Sequence, residues 1–138
     1  MNNNYPNSNA SRGSIDELID LAKKEELNNN YFEAIRLYSL AIKKNNERND
    51  NSYTSAWFLR GKLNLKISRY RHAKYDLGIC IYLCQENMEP LYKAIHKPLF
   101  KSVFLRCIAN LILNDRRYYY DWIYIQKSKS YRHLFFIR

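Results

Sequence analysis

Residues 30–45 read NYFEAIRLYSLAIKKN. Tyr31, Ala34, Ile35, Leu37, Tyr38, Ala41 and Ile42 recur at spacings of three and four, which predicts an amphipathic helix. Two alanines seven apart, each beside a large apolar residue, suit a helix that crosses a neighbour closely. The stretch on either side supplies that neighbour. Before it, SIDELIDLAKKEEL (14–27) opens with Ser14 and Glu17 in capping-box spacing and carries Ile15, Leu18, Ile19 and Ala22 at helical intervals. Leu21 adds width to the same face, and Asn28-Asn29-Asn30 breaks the helix. Asn tolerates the left-handed backbone that a tight helix exit needs.

Further along, helices are expected over about 53–67, from about Tyr70 through Cys84, over about Leu99–Leu113 and over 117–129. Ser68-Arg69 and Asn114-Asp115 are turns, ERNDNS (47–52) is a polar connector, and Pro90 and Pro98 bracket an irregular piece. Residues 1–13, MNNNYPNSNASRG, have no periodic apolar face and are expected to be a disordered Asn-rich tail, leaving 14–138 as one helical domain. The final YRHLFFIR (131–138) is apolar enough to dock.

The helices fall into pairs with an internal repeat. Ala22, Ala34 and Ala41 return at an offset of 39 as Gly61, Ala73 and Cys80. Leu18 then meets Trp57, Tyr31 meets Tyr70, Tyr38 meets Leu77 and Ile42 meets Ile81. In a third, degenerate pair, Val103 and Cys107 stand where Trp57 and Gly61 stand, and a gap of twelve lands on Tyr119 where Ala is expected.

The spacing Trp57, Gly61, Ala73, Cys80, with Leu18, Ala22, Ala34, Ala41 before it, resembles the tetratricopeptide repeat. The resemblance implies an all-α fold, a short right-handed α-solenoid of about three helix-turn-helix hairpins (about 15–46, 53–87 and 99–129). It departs from the family in a longer first connector and in lacking the usual Pro at Asn46 and Asn87. The resemblance also implies that the first helix of each hairpin lines a concave binding face. That face would carry Ile19 and Lys23, then Phe58, Leu59, Lys62, Leu65 and Lys66, then Lys101, Phe104, Leu105 and Ile108. One subgroup of the family grips acidic C-terminal tails of chaperones through a five-residue carboxylate clamp; here Ile19, Lys23, Leu59 and Leu105 depart from it and only Lys101 matches.

Composition sets the function classes. The 138 residues carry a net charge of +10. Residues 1–50 hold seven Lys/Arg against eight Asp/Glu, and residues 51–138 hold sixteen against five. Such a basic field attracts acidic peptides, nucleic acid or anionic membrane surfaces. Sixteen asparagines and thirteen tyrosines reflect A/T-rich codons as readily as function. No apolar run reaches the ~20 residues a spanning helix needs. No phosphate loop exists, because Gly13, Gly61 and Gly78 are isolated. His72, His96 and His133 lie far apart, and Cys80, Cys84 and Cys107 read as reduced core thiols. No catalytic residue, metal site or cofactor is expected.

The expectation is therefore a non-catalytic adaptor, co-chaperone-like or assembly module, cytoplasmic or nuclear. It would bind an acidic, partly apolar peptide or C-terminal tail through Lys23, Phe58, Lys62, Leu65, Lys66, Lys101 and Phe104. The alternative is a basic RNA- or ribonucleoprotein-associated subunit. Tyr118-Tyr119-Tyr120, Trp122 and Tyr124 beside Arg116 and Arg117 prompt it, since aromatics stack on bases while Arg meets phosphate. Packing inside the fold is the expected role for most of that aromatic cluster.

Overall fold

A computed structural model describes residues 14–47, 54–85 and 97–135. Among these residues the chain is all helical: α1 (Ser14–Leu27), α2 (Tyr31–Glu47), α3 (Thr54–Lys66), α4 (Tyr70–Gln85), α5 (Lys97–Ile112) and α6 (Tyr118–Phe135). The N-terminal tail, most of the 47–52 connector and most of the piece between Pro90 and Pro98 lie outside the described residues. Pro98 is the second residue of α5, where its missing N–H is not needed. The chain divides into two compact units, Met1–Ala56 and Trp57–Arg138.

In the first unit α1 packs on α2. Ile15, Ile19 and Ala22 from α1 and Ala34, Leu37, Tyr38, Ala41 and Ile42 from α2 are buried. Leu21, expected on the apolar face, is exposed. The Tyr38 hydroxyl donates to Glu26 Oε2 at 3.1 Å. Burial, reinforced by the Glu26 charge and that hydrogen bond, pushes the phenol well above its ordinary range.

In the second unit α3 packs on α4, α4 on α5 and α5 on α6. The α3–α4 crossing is close because Gly61 has no side chain: a Cβ there would fall 2.9 Å from Leu77 Cγ. Ala73, Leu77, Cys80, Ile81 and Cys84 line the buried side of α4. Most positions matched at the offset of 39 share their environment: Ala22 and Gly61, Ala34 and Ala73, Ala41 and Cys80, Tyr38 and Leu77, and Ile42 and Ile81 are all buried, and Tyr31 and Tyr70 are both half-buried, whereas Leu18 is half-buried and Trp57 buried.

All three hairpins turn in the same way. Asn29, Ser68 and Asn114 adopt φ of 62°, 65° and 53°, each just past a helix end. In each, the next residue's N–H closes a six-residue ring onto the helix: Asn30 to Glu25 O (2.9 Å), Arg69 to Asn64 O (2.8 Å) and Asp115 to Asn110 O (2.8 Å). An inner bond from the left-handed residue itself completes the Schellman pattern. In two turns a following tyrosine hydroxyl donates back, Tyr31 to Asn29 Oδ1 at 2.8 Å and Tyr70 to Ser68 Oγ at 3.2 Å.

The third hairpin departs at its second helix. Tyr118, Tyr119 and Tyr120 enter α6 through successive i→i+3 bonds to Asp115, Arg116 and Arg117, whereas Ala73 enters α4 through an i→i+4 bond to Arg69. The tighter 3₁₀ entry uses one residue fewer. The gap expected as twelve is therefore eleven, and Tyr118, not Tyr119, takes the place of Ala73.

Candidate functional site

That one-residue correction exposes a repeated polar strut. On α3, Arg60 donates to Asp76 through Nη2 (2.7 Å to Oδ1) and Nε (2.9 Å to Oδ2), and Asn64 Nδ2 donates to the same Oδ2 at 3.0 Å. On α5, Arg106 donates to Asp121 through Nη2 (2.5 Å) and Nε (3.1 Å), and Asn110 Nδ2 donates at 3.1 Å. Asp76, Asp121, Asn64 and Asn110 are buried. Each Asn also lends its backbone carbonyl to the outer ring of the following turn, so one residue ties the turn to the helix pair. In both copies the Asn Oδ1 is buried without a hydrogen-bond partner. The Arg60 guanidinium lies over the Trp57 ring, 5.2 Å from its centroid, and Trp57 meets Tyr75 edge-on at 6.3 Å.

The sequence carries a signal for this strut that the apolar spacing does not use. Arg-x3-Asn-Leu occurs at 60–65 and 106–111, and Tyr-Asp follows at 75–76 and 120–121. The first hairpin has Leu21, Glu25 and Leu37 at these places and so no strut.

A third carboxylate is also committed. Asp115 pairs with Lys74 from α4, and Arg117 donates to it through its backbone N–H (3.0 Å to Oδ1), Nε (3.0 Å to Oδ1) and Nη2 (2.7 Å to Oδ2). The Arg117 hydrogen bonds, then Lys74, hold its carboxyl far below the usual carboxylate range. Every acidic side chain described in the second unit is thus bound to its own cation. Lys62, Arg71, Lys101 and Arg116 have no carboxylate partner among the described residues.

Two sides of this unit present that cationic charge. On α3, Lys62 and Lys66 are exposed beside half-buried Phe58 and Leu65. On α5, Lys101 and Phe104 are exposed. In the first unit Lys23 is exposed on α1, but Ile19, expected beside it on a binding face, is 5% exposed and belongs to the core.

The unit also carries three depressions, none of them lined by those lysines. An open cleft of about 690 Å³ lies between α4 and the α5–α6 hairpin, with Tyr75 and Tyr120 in its wall beside Arg71, Lys74, Arg106 and Arg117 and the carboxylates of Asp115 and Asp121 that hold the last three cations. A depression of about 460 Å³ adjoins Arg116, Arg117 and Tyr118–Tyr120. A third, of about 250 Å³, takes in Tyr82, Tyr120 and Tyr124. Tyr120 borders all three. The aromatic cluster expected to pack inside is largely outside: Tyr118, Tyr119, Tyr120 and Trp122 are exposed, Tyr120 at 72%. The physical reason is the strut, which turns Asp121 and Ile125 inward and so rotates their aromatic neighbours to solvent.

The nucleophilic candidates are sequestered. Cys80, Cys84 and Cys107 are free thiols and buried. Hydrogen bonding to Cys84 and then burial push the Cys80 thiol up, and burial does the same for Cys107. Among the described residues no group of three or more His, Cys, Asp or Glu is placed to hold a metal ion, and no helix is long and apolar enough to cross a membrane. Comparison with protein-family models finds no match for this chain, and comparison with curated proteins finds none either.

Proposed function

We propose that the chain is a non-catalytic protein-interaction module of the tetratricopeptide type. Its hairpins stack as a short right-handed α-solenoid, and its lysine-bearing side takes an acidic, partly apolar peptide segment. The carrying observation is the distribution of counter-charge. The residues of the second unit hold sixteen Lys/Arg and five Asp/Glu, and the three carboxylates described there are spent inside the fold. Lys62 and Lys101 are left exposed near Phe58, Leu65 and Phe104. An acidic ligand supplies the missing counter-charge through charge-assisted hydrogen bonds, and its apolar side chains cover the aromatic and leucine surface. The three shared turns and the matched small residues support the repeat reading. The reduced, buried thiols suit a cytoplasmic or nuclear setting. The role is that of an adaptor, co-chaperone-like or assembly subunit.

The test uses a fluorescent peptide alternating Glu with Leu and Phe. Lys62→Glu is expected to weaken its binding at least tenfold, about 1.4 kcal/mol, with helicity unchanged. Lys43→Glu, on the exposed side of α2, is expected to matter much less. Equal effects from the two substitutions defeat the reading, because then only the overall field counts.

A further inference from the structure

The side of the second unit that carries these depressions is distinct from the lysine side. At 100° per residue, Val103, Arg106 and Asn110 fall within about 60° of one another around α5, while Lys101 and Phe104 lie well away on the other side. The two surfaces also differ in chemistry. The lysine side pairs ammonium groups with aliphatic and phenylalanine surface. The side with the depressions pairs guanidinium groups with tyrosines: Tyr75 is 62% exposed and Tyr82 65%, and Tyr120 joins the three depressions. Large aromatic rings left in water beside a cleft are available as stacking platforms. Arg71 and Arg116 stand beside them without a carboxylate partner among the described residues.

Exposed rings and unpaired guanidiniums bordering depressions that share Tyr120 match an unpaired nucleic-acid strand. Every base has a π-face to lay on an aromatic, and every nucleotide brings a phosphate for an arginine. A duplex hides its base faces and would use only the charge. A poly-glutamate chain has carboxylates for the arginines but no ring to stack, which is why it serves as the peptide comparison. We propose that this side of the second unit binds single-stranded nucleic acid, with bases stacking on Tyr75, Tyr82 and Tyr120 and phosphates meeting Arg71 and Arg116. The shared chemistry of RNA and DNA strands is what the surface recognises.

The experiment measures polarisation of labelled twenty-nucleotide oligo-U and oligo-dT on the full chain. A twenty-base-pair duplex and poly-glutamate serve as comparison ligands. Both strands are expected to bind more tightly than the duplex; a preference for one sugar supports the surface and names the source. Tyr120→Ala is expected to weaken strand binding at least tenfold, and Tyr120→Phe less than twofold, because the ring and not the hydroxyl stacks. Tyr120 is exposed, so neither change disturbs the core. Arg71→Gln is expected to lower the slope of log affinity against log salt by about 0.7. Lys62→Glu, which tests the other side, is expected to change strand binding less than threefold. The proposal is overturned if Tyr120→Ala binds like the parent or Tyr120→Phe fails like Tyr120→Ala. It is also overturned if Lys62→Glu does as much damage as Tyr120→Ala, or if poly-glutamate binds with the same dependence on Tyr120, which would make this an acidic-peptide surface.

Discussion

Asp76→Ala removes the acceptor of three hydrogen bonds in one step. The Asp76 carboxylate is buried, while the Arg60 side chain retains 18% of its surface in water. Removing one partner of a buried, hydrogen-bonded ion pair costs ~3–5 kcal/mol, because the other charge is stranded. Arg60 keeps its place over Trp57 and some hydration, so the lower end applies, about 3 kcal/mol. The Asn64 amide loses its acceptor at the same time. In the second copy Arg106 is more open, at 29%, so Asp121→Ala is expected to cost less, about 2 kcal/mol by the same reasoning. Urea unfolding followed by Trp57 fluorescence in a Trp122→Phe background reads both variants. With a slope of roughly 2 kcal/mol per molar, Asp76→Ala lowers the midpoint by about 1.5 M. The double variant Arg60→Met/Asp76→Leu is expected to cost less than Asp76→Ala alone, since neither charge is then stranded. A shift for Asp76→Ala below about 0.3 M, or a double variant that costs the sum of its singles, refutes the strut as an ion-paired lock.

Two further outcomes follow from the turns. Ser68 holds φ of 65° without being glycine, a strain of ~1–2 kcal/mol. Ser68→Gly relieves it at the cost of unfolded-chain entropy, so a net gain of about 0.5 kcal/mol and a thermal midpoint higher by roughly 2–4 °C are expected. Asn114→Gly should gain less, because Asn already tolerates that backbone. Asp115 has its folded pKa depressed by Arg117 and Lys74, so the stability it contributes is present above the unfolded pKa of ~3.9 and is lost as pH falls toward the folded value. The gap in urea midpoint between parent and Asp115→Asn should be flat from pH 7 to about 5 and close below about pH 4; a gap that widens in acid contradicts the assignment.

The hairpins were legible because helix formation and close crossing both leave regular marks. Alanine or glycine at the crossing and large residues one turn away set an offset of 39, and burial follows that offset at every matched pair but Leu18 and Trp57, where Leu18 is half-buried and Trp57 buried. The turns were legible from Asn28-Asn29-Asn30, Ser68-Arg69 and Asn114-Asp115, though none of the three left-handed residues is the glycine that usually marks such a turn. The third hairpin was not readable at a gap of twelve, because a 3₁₀ entry drops one residue and moves every later match by one. Apolar spacing is blind to that slip. The polar residues are not, since Asp121 must reach Arg106 and Asn110 whatever the turn does. Ile19 went to the wrong side for a related reason: a helix face read one residue too broadly takes in the core. The exposure of the tyrosines was hidden because consecutive aromatics look equally apolar, and only the inward turn of Asp121 decides which of them reaches water.

The strut also bears on how the second unit came to be so basic. Three carboxylates are drawn inside or into a turn, where each is saturated by its own cation and contributes little to the outer field. Among the described residues, what the surface shows is the remaining positive charge, and it has two kinds of surroundings. The exposed lysines of α3 and α5 stand beside phenylalanine and leucine. Arg71 in the cleft and Arg116 in the depression beside it stand near tyrosines, and the cleft's lysine, Lys74, is taken up by Asp115. An ammonium is a compact point charge that suits a carboxylate on a flexible peptide, whereas a guanidinium is planar, stacks, and meets phosphate with two parallel bonds. A Lys-rich composition alone would scatter both kinds of cation over both sides. Among the described residues the unpaired lysines Lys62 and Lys101 stand beside Phe and Leu while the unpaired arginines Arg71 and Arg116 stand beside Tyr. That is the reason to assign the two surfaces to ligands of different chemistry, and the two charge substitutions, Lys62→Glu and Arg71→Gln, are placed so that each affects one ligand and largely spares the other.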